Sequence, residues 1–266
     1  MRLTALVALL FCSAPAWCQP LVNPTGADRR DIALTPASDL DAILDALNAR
    51  GQDLKDFSSD VVLHTIDNRT GQDTSQFGKV IFQNRKGGDS RIKVGFETKK
   101  TDEGNGHPTT QKQKLDYVLD QGWLTDRDYQ KKLEVKRQVL KPDQKMNLLK
   151  LGEGPFPLPI GQDKADVKKQ FTVTKTDSTR DDPRDTLHIT LIPKPGSQLE
   201  RRFKQIDVYI DTKNNMPARI DTVEKAGAMR STELNNIKLN TSVTDDAFTL
   251  PNIDKEGWNR REEPFQ

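Results

Sequence analysis

Cysteine is almost absent: the chain has two, Cys12 and Cys18, both within its first eighteen residues. Once that stretch is cleaved, as expected below, at most one thiol remains, so no disulfide can form and the core must hold unaided. Aromatic residues make up 6% of the 266 and apolar residues 34%, against 30% charged. That balance favours a thin, heavily solvated sheet over a thick two-sided core. No run beyond the first twenty residues is apolar enough for a transmembrane helix. The three histidines, His64, His107 and His188, lie far apart, and none has a metal-binding spacing such as HExxH. There is no G-x-S-x-G elbow, no Walker loop and no dinucleotide fingerprint, and Gly104-Asn105-Gly106 reads as a turn. No catalytic group, cofactor or metal is therefore expected. The 41 basic and 39 acidic residues are mixed along the chain for a net charge of +2. Without a basic run long enough to follow a phosphate backbone, nucleic acid is not expected as a partner.

What the chain does have is strand alternation, clearest from Phe203 to Leu239. Ile206, Val208 and Ile210 alternate with Gln205, Asp207 and Tyr209 before the turn formers Asp211 to Pro217. Arg219 to Glu224 is a second run, Ala226-Gly227-Ala228 reverses the chain, and Met229 to Leu239 is a third. Its apolar residues change parity between Leu234 and Ile237, so a bulge at Asn235-Asn236 is needed to keep both on one face. The result is an antiparallel meander with one apolar face that something must cover.

Upstream, Arg2, the apolar run Leu3 to Phe11 and the small residues Ala14-Pro15-Ala16 or Ala16-Trp17-Cys18 form a signal peptide over residues 1–18, cleaved at about 16–18. Phe11 and Trp17 are too bulky to precede a lipid-attached cysteine, so the exported protein is expected to be soluble. Residues 19–34 form a polar leader. Thr35 to Ser38 opens a helix from about Ser38 to Ala49, with Leu40, Ile43, Leu44 and Leu47 on one face and Gly51 as its stop. Strands follow at Phe57 to Ile66, Ser75 to Gln83, and through Ile92, Val94 and Phe96. A polar loop from Lys99 to Lys112 leads to Leu115, Tyr117 and Leu119, then Trp123 to Thr125 and Leu133 to Val135. Hairpins without crossover helices argue against an α/β fold.

The middle breaks the pattern. Met146, Leu148, Leu149 and Leu151 suggest a helical turn or two, and the glycine- and proline-rich stretch to Ile160 includes Phe156 and Leu158. Such prolines exclude a central strand. The segment reads either as a lid on the inner face of a curved sheet or as an ordinary core-packing connection. A short polar helix at about Asp163 to Gln170 and strands at Phe171 to Thr174 and Leu187 to Ile192 complete the domain at residues 35–251, with 252–266 a polar tail.

The order of these features resembles the LolA/LolB-like lipoprotein-carrier family. The residues that carry it are Leu54-Lys55-Asp56-Phe57, Gly78-Lys79-Val80-Ile81-Phe82, Tyr117 to Leu124, and the closing Asp245-Asp246-Ala247-Phe248. The resemblance implies a mainly β (α+β) fold, an unclosed antiparallel barrel of about eleven strands around an N-terminal helix and lid helices. Its apolar cavity takes lipoprotein acyl chains across the periplasm. The partners so implied are an inner-membrane releasing complex and an outer-membrane acceptor, with the carrier a monomer. The lining expected here is Val80, Phe82, Val94, Phe96, Tyr117 and Leu119, with Leu148, Leu149, Phe156, Leu158 and Ile160 as cover. In the better-known carriers an Arg-Pro pair follows the second strand. Arg85 lies near that place, followed by Lys86 and Gly87, and is the candidate for the cavity mouth.

Three readings stand on the sequence. One is a carrier for lipoproteins or another lipid. The second is a non-carrier binding or sensory module on the same fold, and the third a hydrolase whose carboxylates meet across strands.

Overall fold

The computed structural model describes residues 32–85, 89–104, 107–141, 144, 148–149, 160–197, 199–253 and 257–265. The expected signal peptide, Phe156, Leu158 and most of the expected lid lie outside them. Among the described residues no helix is long and apolar enough to cross a membrane.

In chain order the elements are α1 (Leu40–Asp53), β1 (Asp56–Asp67), β2 (Gln72–Asn84), β3 (Ser90–Asp102), β4 (Thr109–Asp120), β5 (Trp123–Asp128) and β6 (Leu133–Gln138). Then come α2 (Lys164–Gln170), β7 (Phe171–Thr176), β8 (Thr186–Pro193), β9 (Phe203–Asp211), β10 (Pro217–Glu224), β11 (Ala228–Leu239) and β12 (Asn259–Glu263). All twelve strands form one sheet, in the order β12-β6-β5-β4-β3-β2-β1-β11-β10-β9-β8-β7. Its two ends do not meet, so the sheet is the unclosed barrel expected, with hairpin neighbours on either side of the long-range pair β1–β11. Every pairing is antiparallel except that of β12 with β6.

The parity change in β11 is absorbed as expected. Asp60 faces Asn235 while Ser58 faces Lys238, an extra residue on β11 where Asn236 takes φ 56°. Leu234, Ile237 and Leu239 thereby all reach the core. A second irregularity, at Phe77/Gly78, brings β2 so close to β3 that a Cβ on Gly78 would overlap the Gly95 carbonyl. Only glycine fits there.

Three expectations need correction. The polar loop is shorter than Lys99 to Lys112, because β3 runs on to Asp102 and β4 begins at Thr109, with Lys99–Gln111 and Lys100–Thr110 paired. Those strand ends lack apolar alternation because little packs on them, and ladder hydrogen bonds alone extend them. Gly51 does not stop α1, which begins from an Asp39 cap (Oδ1 accepts from Ala42 N, 2.8 Å) and continues to Asp53. Gly51 lies where a Cβ would overlap the backbone of Gly161, whose N–H donates to Leu47 O at 3.1 Å. Finally, residues 259–263, placed in the polar tail, form β12; all five are exposed, but their backbone pairs with β6.

The core lies on one face of the sheet, here the inner face. Ile43, Leu44 and Leu47 of α1 join Phe57, Phe82, Ile189, Leu191, Ile206, Val208 and Ile210 in one buried cluster. α2 adds Val167 and is tied to α1 by Lys164–Asp45 (2.8 Å) and Lys168–Asp41.

The outer face is crossed by the chain that leaves β11. The Asp56 carboxylate of β1 accepts from Thr241 N (2.8 Å) and Ser242 N (3.1 Å), and Gln83 Nε2 of β2 donates to Val243 O (2.8 Å). On β3, Arg91 pairs with Asp245 and lies 4.0 Å over the Phe248 ring, while Lys93 Nζ donates to Ala247 O (3.1 Å) and Thr249 O (3.2 Å). Arg127 of β5 reaches Pro251 O at 2.6 Å, and Trp258 meets the Tyr129 ring edge-on at 5.6 Å. This strap ends in β12.

Candidate functional site

The lining residues are positioned by strand period. Val80 and Phe82 on β2, Val94 and Phe96 on β3, and Leu119 on β4 alternate onto the inner face, and all five are buried. Tyr117 is half-buried beside them, its ring edge-on to Phe96 at 6.4 Å. Leu148, Leu149 and Ile160 are buried in the same cluster, each at most 3% exposed. Together with α1 they cover the strands from outside the ladder.

Among the described residues a wholly apolar void of ≈ 20 Å³ is lined by Phe57, Val61, Val80 and Ile92 on one side and by Ile220, Thr232 and Leu234 on the other. That is about the space one water needs, against roughly 300–1,000 Å³ for ordinary ligand pockets. Of this lining only Val80 is among the expected site residues. Apart from Ile92 on β3, the others lie on β1, β11 or the adjoining β10, around the β1–β11 seam, a pairing across more than half the chain that local alternation does not announce.

The inner face also has a polar end. Tyr117 stands directly opposite Asp126 on β5. Burial lifts the Asp126 carboxyl above the ordinary range; Arg137 works against that lift and Asp128 adds to it. Burial, with Asp126 and Asp128 nearby, likewise pushes the Tyr117 phenol up. A carboxyl and a phenol held toward their neutral forms suit an apolar wall better than charged groups would.

Arg85 follows β2, and its guanidinium is engaged: Nη1 lies 2.8 Å from Asp120 Oδ1 and 3.3 Å from Asp89 Oδ2. Burial opposes its charge, but the two carboxylates outweigh that and strengthen its hold on the proton.

Larger hollows lie elsewhere. A groove of ≈ 550 Å³ is lined by Ile81, Gly95, Lys79, Lys93 and Lys114 among others. Three of its lysines have partners within the chain: Lys79 pairs with Asp60 at 2.8 Å, Lys93 holds the strap, and Lys114 lies 4.3 Å over the Tyr129 ring. On the outer face of β8 to β10, His188 stacks on Tyr209 at 4.3 Å and shares a hydrogen bond of 3.0 Å with Asp207. Thr190 and Gln205 donate to the same carboxylate, each at 2.6 Å. Among the described residues no group of three His, Cys, Asp or Glu side chains could hold a metal ion.

The profile of the family described as "Outer membrane lipoprotein carrier protein LolA" matches residues 122–251, which run from the turn before β5 through α2 and the meander to the strap. The match covers just under half of the chain, and this stretch is similar to that family. No curated protein matches its sequence. Among solved structures, an uncharacterized conserved protein from Thermus thermophilus is similar at 12% identity and TM-score 0.44, over 82% of this chain and 97% of that one. MucB, in its complex with MucA from Pseudomonas aeruginosa, gives 10% identity and TM-score 0.43 over 79% of this chain, which spans only 60% of that one. A LolA superfamily protein from Nitrosomonas europaea gives 10% identity and TM-score 0.32, over 80% and 99%.

Among the described residues the sheet is an unclosed barrel, and side chains of α1 and of the connection pack on its apolar face.

Proposed function

We propose that this protein is a soluble periplasmic carrier that shields the acyl chains of lipoproteins, or of another lipid, against the inner face of its sheet. One observation carries the reading. The buried wall of Val80, Phe82, Val94, Phe96 and Leu119 is covered by α1, Leu148, Leu149 and Ile160, none of which belongs to a strand of the ladder. Cover of this kind is held by side-chain contacts, apart from bonds such as Gly161 N to Leu47 O. It can leave without stripping the strands of backbone partners. An entering acyl chain replaces one apolar surface with another, and each methylene withdrawn from water contributes about 0.8 kcal/mol. No catalytic step is required. In this reading Phe156 and Leu158 belong to the cover, Arg85 stands at the mouth, and the protein works as a monomer. It receives cargo from an inner-membrane releasing complex and yields it to an outer-membrane acceptor.

Native mass spectrometry of protein purified without detergent, with titration of a fluorescent fatty acid, tests this. Co-purified lipid or saturable binding of the probe is expected. Phe156→Ser with Leu158→Ser should change probe binding and leave the strand signal in circular dichroism nearly unchanged. Wild-type protein that carries no lipid and binds no probe would overturn the carrier reading.

The small size of the void, ≈ 20 Å³, favours the second reading, a binding or sensory module on the same fold. In that case the filled inner face is permanent, and the surface that matters is on the outside or at an edge of the sheet.

A further inference from the structure

The pairing of β12 with β6 is parallel in a sheet that is otherwise antiparallel, and side-chain charge accounts for the direction. In the observed register Arg260 stands opposite Glu134, Glu262 opposite Lys136 and Glu263 opposite Arg137. Two of these pairs are closed, Arg260 Nε to Glu134 Oε1 at 2.9 Å and Arg137 Nε to Glu263 Oε2 at 2.7 Å. Turned antiparallel about its own centre, β12 would set Glu262 against Glu134 and Arg260 against Lys136, and like charges directly opposite are destabilising. The edge of β6 thus selects a strand by the order of its charges.

β12 is held by little else within its own five residues. Asn259, Arg260, Arg261, Glu262 and Glu263 are all exposed, and none is apolar. What holds them is backbone pairing, as in Asn259 N to Lys132 O at 2.8 Å, and exchangeable ion pairs. An incoming strand with the same charge order would restore each of these bonds as β12 gave it up. By contrast β7, at the far end of the sheet, has α2 leading directly into it and Lys175 bound to the carbonyls of Pro36 and Ser38, both at 2.7 Å.

We propose that the β6 edge is a docking site for an extended segment of a partner protein whose charges run basic, basic, acidic, acidic, and that β12 fills it as a placeholder. The partner adds as a parallel strand, taking Arg127-bound Glu134 and Arg137 as its two reading points. A tethered β12 competes at an effective concentration on the order of millimolar. A free peptide therefore binds the intact chain weakly, and a natural partner must bring contacts beyond the edge. The proposal does not depend on what the inner face carries.

The test uses the full chain and a fluorescent peptide of residues 257–265. Arg260→Glu with Glu263→Arg reverses the two charges of β12 that are paired across to β6 and leaves β6 untouched. Asn259→Pro removes the N–H that reaches Lys132 O and opens the same edge without new charge. Hydrogen exchange should show loss of protection in β6 in both variants. Fluorescence anisotropy should show at least tenfold tighter peptide binding than wild type, with no gain for a peptide of the same composition in reverse order. Either variant suffices if the other fails to fold. The proposal is overturned if β6 stays protected, since β12 is then a fixed strand. It is also overturned if the opened edge binds no peptide, or binds both peptide orders equally.

Discussion

Gly51 and Gly161 meet backbone to backbone: the Cβ that any other residue would carry at 51 overlaps the nitrogen and Cα of Gly161. This contact seats the chain leaving the cover on α1, and Gly161 takes φ 71°, where a side chain would itself be strained. Gly51→Ala should therefore lift residues 160–161 from the helix. Overpacking of this kind costs about 1–3 kcal/mol, read as a lower denaturant midpoint. On the carrier reading, fatty-acid probe binding should rise at the same time. An unchanged midpoint would mean that helix and cover part freely.

Asp126 should make the fold less stable as the solution turns neutral. Its carboxyl titrates above the ordinary range in the folded chain, so between the unfolded and folded values the folded state holds more protons. Stability then falls as pH rises through that window and is lowest once both states are ionised. Asp126→Asn, which stays neutral, should raise stability at neutral pH and flatten this slope in urea melts between about pH 4 and pH 7. A slope unchanged by the substitution would put its origin elsewhere.

Asp207 has the opposite sign. Burial would push its carboxyl up, but hydrogen bonds from His188, Thr190 and Gln205 outweigh burial and hold it below the ordinary range. Its contribution is present above the unfolded value and is lost as pH falls through the lowered folded one. Asp207→Asn, measured by thermal melts at several pH values, should cost about 1–3 kcal/mol near neutrality and make the acid limb shallower.

Arg91 is 3% exposed although it lies on the outer face, where it joins Gln83 (Nε to Oε1, 2.9 Å), Asp245 and the Phe248 ring. Arg91→Met should cost roughly 1.5–3 kcal/mol, the range for hydrogen bonds to charged groups. It should also expose residues 240–251 to limited proteolysis while the hairpins stay protected. A strap that stays protected would mean that Lys93 and Arg127 hold it alone.

Arg91 also shows where the sequence stops being legible. Strand alternation assigns it correctly to the face opposite Ile92, but its burial comes from Asp245 and Phe248, more than 150 residues further on. No local pattern carries that. The bulge in β11 was readable because Leu234 and Ile237 break parity within one strand, and the inner-face residues of β2 to β4 because each strand states its own alternation. β12 was not readable because its pairing rests on charge order and backbone, and an exposed five-residue strand has no apolar period. Gly51 resembles a helix stop when read locally. Its reason is a backbone neighbour 110 positions away.

The seam between β1 and β11 sets an order of events for the newly made chain. β1 to β6 can pair as successive hairpins, and so can β7 to β11, each from contacts close in sequence. Phe57 cannot meet Leu239 until 182 further residues exist, and the strap can be laid down only after that. Closing such a loop carries an entropic cost that local pairing does not, and contacts of this range slow folding. The two runs of hairpins are thus joined late, and until then the two halves hold their apolar faces without a common core.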